Sequence, residues 1–393
     1  MGIIQDSSAS INKVFTLFKM LLAFLLFMLS IDMLTVSLVQ FNSEFAQQLF
    51  QATNNPFVGL FIGLLMTALI QSSSTVTAMV VAVVAAGTLS LEQAVPLVMG
   101  ANIGTTITST LVAFSFIMKK NEFKKALSAG VLHDIFNILT VLVLFPLEVY
   151  FGFLSQMAIY ITNTFFDTTV TDNGNYTYNV LFTRPVTMWL VNLISQPLIS
   201  LLLAIALVFA SIKFLSVSVF RVFMSPSYNN ASKHIFQRPY IAFLYGIFFT
   251  AAVQSSTVTS SLIVPAVANR KVSLVKAFPF IIGANIGTCI TAAIAAIYKT
   301  EAAISIAIVH FLFNFFGALL FLPFPAIRKI PVKLSTYLGR ESVRTRFVGF
   351  AYIVFTFFII PFLLIYFNKD GDIRQMGINQ IQKPQTEKVF KAP

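Results

Sequence analysis

A polar stretch occurs twice in this chain, each time inside an apolar run: Gln71-Ser72-Ser73-Ser74-Thr75-Val76-Thr77 and Gln254-Ser255-Ser256-Thr257-Val258-Thr259-Ser260. Each copy is followed by a second signature, Gly100-Ala101-Asn102-Ile103-Gly104-Thr105 and Gly283-Ala284-Asn285-Ile286-Gly287-Thr288. The step from Gln to the first Gly is 29 positions in both copies (100 − 71 and 283 − 254). Hydroxyl and amide groups within hydrocarbon must be satisfied by protein or must line a cavity. The repeat therefore fixes two equivalent polar sites inside an otherwise apolar body.

Composition decides what kind of body that is. Of 393 residues, 57% are hydrophobic and 10% charged, with 43 Phe. Apolar runs of about 20 residues, the length that crosses a bilayer core, recur along the chain. The formal net charge of +12 concentrates at Lys119–Lys125, Lys213–Arg238 and Arg328–Arg346, between apolar spans. That is how cytoplasmic loops are marked, and no nucleic-acid partner is expected. The single cysteine, Cys289, excludes an internal disulfide framework and a multi-cysteine metal site. The first apolar run starts near Val14 behind a polar segment and lacks a small-residue cleavage site, so it is read as a retained helix. The expectation is an all-α, multi-pass protein of the cytoplasmic (inner) membrane, with the lipid bilayer as its surroundings.

Val14–Ser37 can span, and a polar connector, Gln40–Asn55, follows. Phe57–Ile70 and Val76–Ala86 are each too short to cross a core of about 30 Å. With the polar turn between them they read as a re-entrant hairpin over 57–87, the alternative being one continuous helix with a polar stripe. Leu91–Met118 follows as a helix broken at Gly100–Gly104, whose glycines also suit helix–helix packing. The next span carries His133, Asp134 and Asn137 before Pro146. The connector Phe166–Arg184 holds the sequon Asn175-Tyr176-Thr177, and a span over Val186–Ile212 leads into the second copy.

Pro56 recurs as Pro239 (239 − 56 = 183), while His133, Asn137 and Pro146 recur as His310, Asn314 and Pro323 (310 − 133 = 177). The expected units are a first repeat at 14–150 and an external loop with the start of the fourth span at 151–194. A second repeat follows at 195–327, with hairpin 239–268 and broken helix 273–298. A basic loop and last span occupy 328–367, ahead of a polar tail at 368–393. Each repeat holds three spans and one hairpin, and an odd number of crossings turns the second upside down. Inverted-topology repeats with broken helices place a ligand site at the repeat interface.

Half-helices meeting at the two turns aim amide N–H groups at one point, and the serines add donors, a set suited to an oxyanion. Gln71, Ser72, Ser73, Ser74, Gln254, Ser255 and Ser256 are the candidate anion ligands, with Asn102 and Asn285 of the second signature. Nearby oxygens suit a hard monovalent cation: Thr105, Thr106, Thr108, Thr110, Asp134, Asn137, Thr288, Thr291 and Asn314. Anion donors beside cation acceptors point to cation-coupled anion transport, with no cofactor beyond the ion. His133 and His310 are read as hydrogen-bonders between helices. An intramembrane serine protease would also bring Ser and His into a bundle, but it needs no second copy, and a Gly-x-Ser nucleophile elbow is absent. A carrier of another oxyanion such as sulfate stays open.

These residues resemble a family. The doubled Gln-Ser-Ser turns, the doubled Gly-Ala-Asn-Ile-Gly-Thr and Val131-Leu-His-Asp-Ile-Phe-Asn137 are similar to the type II sodium-dependent phosphate cotransporters, across both repeats. The resemblance implies inorganic phosphate as substrate, sodium as coupling ion and a homodimer of independently working protomers. It implies phosphate at the two turns. It also implies sodium sites drawn from Gln254, Ser255, Thr288 and Thr291, and from Thr110, Asp134 and Asn137, to which Thr105 is added from the oxygens above. The second turn departs from the pattern as Gln-Ser-Ser-Thr, Ala284 stands for a family Ser, and Phe116 and Lys119 replace polar and acidic residues. An ionised Asp134 beside a phosphate dianion calls for about three Na⁺ and electrogenic transport, since uncompensated charge is costly in a low dielectric; the alternative is an Asp134 paired with His133 or held protonated, which leaves two Na⁺ and electroneutral transport.

Overall fold

Helix is the only regular structure among the described residues, as expected where no water is at hand to satisfy backbone groups. The structure, a computed structural model, describes residues 2–40, 53–166, 183–223, 235–297, 299–363 and 366. The Asn175 sequon, most of the Gln40–Asn55 connector, part of Lys213–Arg238 and the tail from 368 lie outside the described residues. Among the described residues, seven helical segments are long and apolar enough to cross a membrane: Phe18–Gln40, Leu91–Phe114, Lys120–Phe151, Pro197–Phe214, Leu274–Ala296, Glu301–Phe321 and Arg346–Leu363.

The first helix, α1, runs over Gly2–Gln40. Asn55 caps α2 (Pro56–Ile70) by accepting from the Phe57 amide, and Pro56 occupies the first turn, where a missing N–H costs nothing. Gln71 then stops α2 in the left-handed region (φ 59°), and α3 (Ser73–Ala85) begins at once. The continuous-helix alternative is thereby excluded. A capping box at Ser90 and Gln93 starts α4 (Leu91–Gly104), and α5 (Ile107–Phe114) continues it. Next come α6 (Lys120–Phe151), α7 (Phe153–Phe165), α8 (Arg184–Ile194) and α9 (Pro197–Phe223). The second half holds α10 (Pro239–Val253), α11 (Ser256–Ala268), α12 (Leu274–Ala296) and α13 (Glu301–Phe321). Last are α14 (Pro325–Arg344) and α15 (Arg346–Val354), which runs on through a π-helical turn at Phe355–Ile359.

Three expectations need correction. The span over 186–212 is two helices, because Ser195 takes φ 58° and Pro197 cannot donate to a continuing ladder. The helix over 273–298 is not broken: α12 is continuous. In the first copy the Thr106 hydroxyl and amide both turn back to the Ile103 carbonyl (2.7 and 3.4 Å), tightening the chain there. Its counterpart Cys289 directs its thiol to the Asn285 and His310 carbonyls (3.6 and 3.5 Å), and the ordinary ladder continues. The basic loop after residue 328 is the helix α14, with one face buried against α6.

The two hairpins are held to the following helices in the same way. Gly63 lies against the Leu97 carbonyl, Gly100 against that of Leu60, and Gly104 against that of Leu64. In the second half the pairs are Gly246 with Phe280, Gly283 with Phe243, and Gly287 with Ile247, each shifted by 183 (246 − 63, 283 − 100, 287 − 104). A Cβ at any of the six would overlap backbone, so the helices touch main chain to main chain. The packing reading of the Gly-x-x-x-Gly pair holds. An edge-to-face cluster of Phe136, Phe278 and Phe321, with centroids 5.4 to 6.4 Å apart, joins α6, α12 and α13.

A buried ion cluster closes α1 onto the second half. Asp32, 3% exposed, accepts from Arg184 (3.0 Å) and Lys299 (3.2 Å), and Lys299 also reaches Thr35 (3.3 Å). Burial lowers the pKa of the Lys299 ammonium, which the Asp32 carboxylate opposes. Removing one partner of a buried pair strands the other. Asp32→Asn should therefore cost about 3–5 kcal/mol, read as a lower midpoint of thermal unfolding in detergent. Adding Lys299→Met should recover part of that loss. A double variant no more stable than the single one would refute the pairing energy.

Candidate functional site

The two polar turns, 183 residues apart in sequence, meet. The Ser74 hydroxyl donates to the Gln254 carbonyl (3.0 Å), and the Thr257 hydroxyl donates to that of Gln71 (3.5 Å). Each turn has the same local construction. Gln71 and Gln254 end their helices in the left-handed region (φ 59° and 55°), with amides bonded to Thr67 and Thr250. Ser72 and Ser255 then cap the next helices by accepting from the Thr75 and Val258 amides (3.2 and 3.3 Å). A non-glycine residue in that region is strained, and such strain is tolerated where the surroundings fix it and use it.

Capping occupies Ser72 and Ser255 as acceptors; the Ser72 hydroxyl also shares a hydrogen bond with the Thr75 hydroxyl (2.8 Å), while the Ser255 proton remains able to donate. The next residues, Ser73 and Ser256, are 4% and 3% exposed, and neither hydroxyl makes a hydrogen bond among the described residues. Both stand in the first turn of a helix, where amide N–H groups lack intrahelical partners. This pair of N-termini with free hydroxyls is the donor set expected for an oxyanion. Gln71 is exposed and Gln254 buried, so the two turns are unequally open to solvent.

Asn102 and Asn285 belong to a polar network that ties the halves together. The His133 Nε2 meets the Asn285 Oδ1, and the His310 Nε2 meets the Asn102 Oδ1 (3.4 Å). Asn285 Nδ2 donates to Asn137 Oδ1 (2.6 Å), and Asn137 Nδ2 to the Asn102 carbonyl (2.6 Å). Asn102 Nδ2 goes to the Val98 carbonyl (2.8 Å). In this structure both asparagine side chains are engaged by protein. The histidines act as bridges between helices of opposite halves, with Nε2 facing amides. They do not form a Ser–His pair.

Asp134, fully buried on α6, lies next to this network. Its Oδ2 accepts from Thr110 and from Tyr352 (both 3.2 Å), while Oδ1 has no partner among the described residues. No Lys, Arg or His pairs with it there. An unpaired buried carboxylate oxygen beside two hydroxyls has the chemistry to hold a small cation. Gln254 Oε1 and Thr291 Oγ1 are likewise buried without partners, and so is Thr108 Oγ1, the first-half counterpart of Thr291 (291 − 183). Thr105 and Thr288 instead return their hydroxyls to the Ala101 and Asn285 carbonyls (3.0 and 2.5 Å). Thr288 and Thr291 lie on α12, whose Gly287 packs on Thr250, four residues before Gln254.

Tyr352 is the residue that sequence reasoning passed over. It comes from the last span, outside both repeats, so no internal counterpart marked it. The available signal was a tyrosine in mid-span, whose hydroxyl must find a partner in hydrocarbon.

The pattern of the family described as Na+/Pi-cotransporter matches residues 26–147 and 207–330, together more than half of the chain. Among relatives, sodium-dependent phosphate transport protein 2A of Mus musculus is 27% identical over 91% of this chain and 69% of its own length. Sodium-dependent phosphate transport protein 2B of Homo sapiens is 28% identical over 87% of this chain and 64% of its own length, and its Bos taurus counterpart is 29% identical over 88% and 64%. No solved structure shows significant similarity. The chain belongs to the Na+/Pi-cotransporter family.

Proposed function

We propose that this chain carries inorganic phosphate across a cell membrane together with sodium, and that phosphate sits between the two polar turns. The observation that supports this most directly is the reciprocal contact of the turns, Ser74 with the Gln254 carbonyl and Thr257 with that of Gln71. It brings two helix N-termini and the hydroxyls of Ser72, Ser73, Ser255 and Ser256 to one place. A dianion is held there by dipoles and neutral donors, and sodium supplies the compensating charge.

Two cation positions fit the oxygens that protein leaves unpaired. One is at Asp134 Oδ1 with Thr110 and Asn137; the other is at Gln254 Oε1 and Thr291 Oγ1, with Ser255 and Thr288 beside them. At 15 and 13 residues, α2 and α3 are about 22 and 20 Å long, and α10 and α11 repeat those lengths. Each is too short to cross, which favours re-entrant hairpins, one per inverted repeat, entering from opposite sides. With a second copy as partner, as the family resemblance implies, each protomer would work from its own site.

The test is uptake of labelled phosphate by proteoliposomes with and without an inward sodium gradient. Uptake should require sodium, and sulfate should not replace phosphate. Thr291→Val keeps the side-chain shape and removes one oxygen, so it should raise the sodium concentration for half-maximal uptake at saturating phosphate. By linkage, sodium and phosphate must raise each other's affinity by the same factor. Phosphate binding indifferent to sodium in the parent protein would exclude the coupling.

A further inference from the structure

The helix α14 is too polar to span, yet both its ends are joined to spanning helices: α13 ends at Phe321 and α15 begins at Arg346. Short connections at both ends tie its length, about 30 Å for 20 residues, to the ends of two spans, which favours a place at the boundary between bilayer and water. One face is buried through Pro331, Val332, Ser335, Gly339 and Ser342, with Gly339 set against Ser128 and the Lys124 carbonyl of α6.

The opposite face is open and sorted by chemistry. At 100° per residue, Lys329, Arg340, Lys333 and Arg344 fall within an arc of about 60°. Tyr337, Ile330 and Leu334 occupy the next arc and are 58%, 47% and 46% exposed. Glu341 stands among them but turns to Arg340 and Arg344 (3.4 and 3.2 Å), and Arg340 also lies over the Tyr337 ring (5.3 Å). Lys329 and Lys333 have no acidic partner among the described residues. Four cations against one carboxylate leave this face at +3 (4 − 1).

We propose that this outer face is a binding surface for anionic phospholipid. The four cations engage headgroup phosphates, and Ile330, Leu334 and Tyr337 enter the acyl boundary beside them. A cationic arc flanked by an apolar one matches the order of layers at an anionic membrane surface. A second copy using the same face would set +3 against +3. The proposal is independent of where transported phosphate binds.

The test uses the full chain carrying Trp189→Phe and Tyr337→Trp, which leaves a single indole on α14. It is reconstituted in mixed phosphatidylcholine and phosphatidylglycerol vesicles, with bromine on the chains of one lipid at a time. Brominated phosphatidylglycerol should quench more than its mole share. Neutralising Lys329, Lys333, Arg340 and Arg344 to Gln should lower that preference, by about fivefold for each cation that faces a headgroup. Raising the salt should weaken the preference in the unneutralised protein, an arm that does not depend on the quadruple variant folding. Sodium-dependent phosphate uptake reports that each variant is intact. Equal quenching per mole by the two lipids overturns the proposal. So does quenching by neither, which would mean that protein covers the face.

Discussion

Asp134→Asn should abolish phosphate-dependent inward current while sodium-dependent phosphate uptake continues. Phosphate near neutral pH is largely a dianion, so two Na⁺ neutralise it. An ionised Asp134 adds one negative charge and favours a third Na⁺, and the loaded site then sums to zero (3 − 2 − 1). On that scheme the empty carrier would keep the carboxylate charge, and its return would be the step that feels voltage. That step is worth about 2.3 kcal/mol per charge per 100 mV if the whole field is crossed. The geometry suits this role. Thr110 and Tyr352 both donate to Oδ2, which leaves Oδ1 unpaired and without a basic neighbour among the described residues. Asn keeps the volume and an acceptor but removes the charge. Tyr352→Phe removes only a positioning bond, so current should survive with the sodium dependence shifted to higher concentration. Uptake by the parent protein that ignores an imposed membrane potential would overturn the charge scheme.

Ser73→Ala combined with Ser256→Ala should weaken phosphate binding more than any other pair of single-atom removals in the protein. A lost hydrogen bond to a charged group costs about 1.5–3 kcal/mol, or roughly 10- to 150-fold in affinity for each site. These two positions separate binding from folding better than their neighbours do. Ser72 and Ser255 hold helix caps, so Ala there also removes about 1 kcal/mol of stability. Ser73 and Ser256 have no such duty among the described residues. Equilibrium phosphate binding in sodium, with thermal unfolding as the control, reads the effect. Near-parental affinity in a folded double variant would sink the assignment of phosphate to the turns.

The spans and the split of each hairpin at Gln71 and Gln254 could be read from sequence because their causes are local. Apolar length sets a crossing, and a polar turn inside a short apolar run stops a helix. The fourth span was misjudged because Pro197, visible in the sequence, was passed over as a helix stop and the left-handed angle at Ser195 is not announced by its residue type. The continuity of α12 depends on Cys289 finding the His310 carbonyl on another helix, a partner that local sequence cannot supply. Repeat arithmetic found the two turns but not that they touch. It was blind to Tyr352 and Lys299, which lie outside the repeat or in its connections yet complete the surroundings of Asp134 and Asp32.

The six glycine contacts have a mechanical consequence. Where main chain rests on main chain, sliding one helix by a residue, about 1.5 Å, drives a side chain into the space of a glycine. The first arm of each hairpin and its following helix therefore form a stiff lever, and the described residues hold two of them. They meet where single hydroxyls reach across, Ser74 to Gln254 and Thr257 to Gln71, bonds worth about 1 kcal/mol each. The Asn102–Asn285 network is a second junction between the halves, and the turns are the one where phosphate is proposed to sit. Spin-label distances within a lever should stay fixed between loaded and empty states while those across the joint change. A cargo lodged in a seam between two rigid arms can set their relative angle without bending either one.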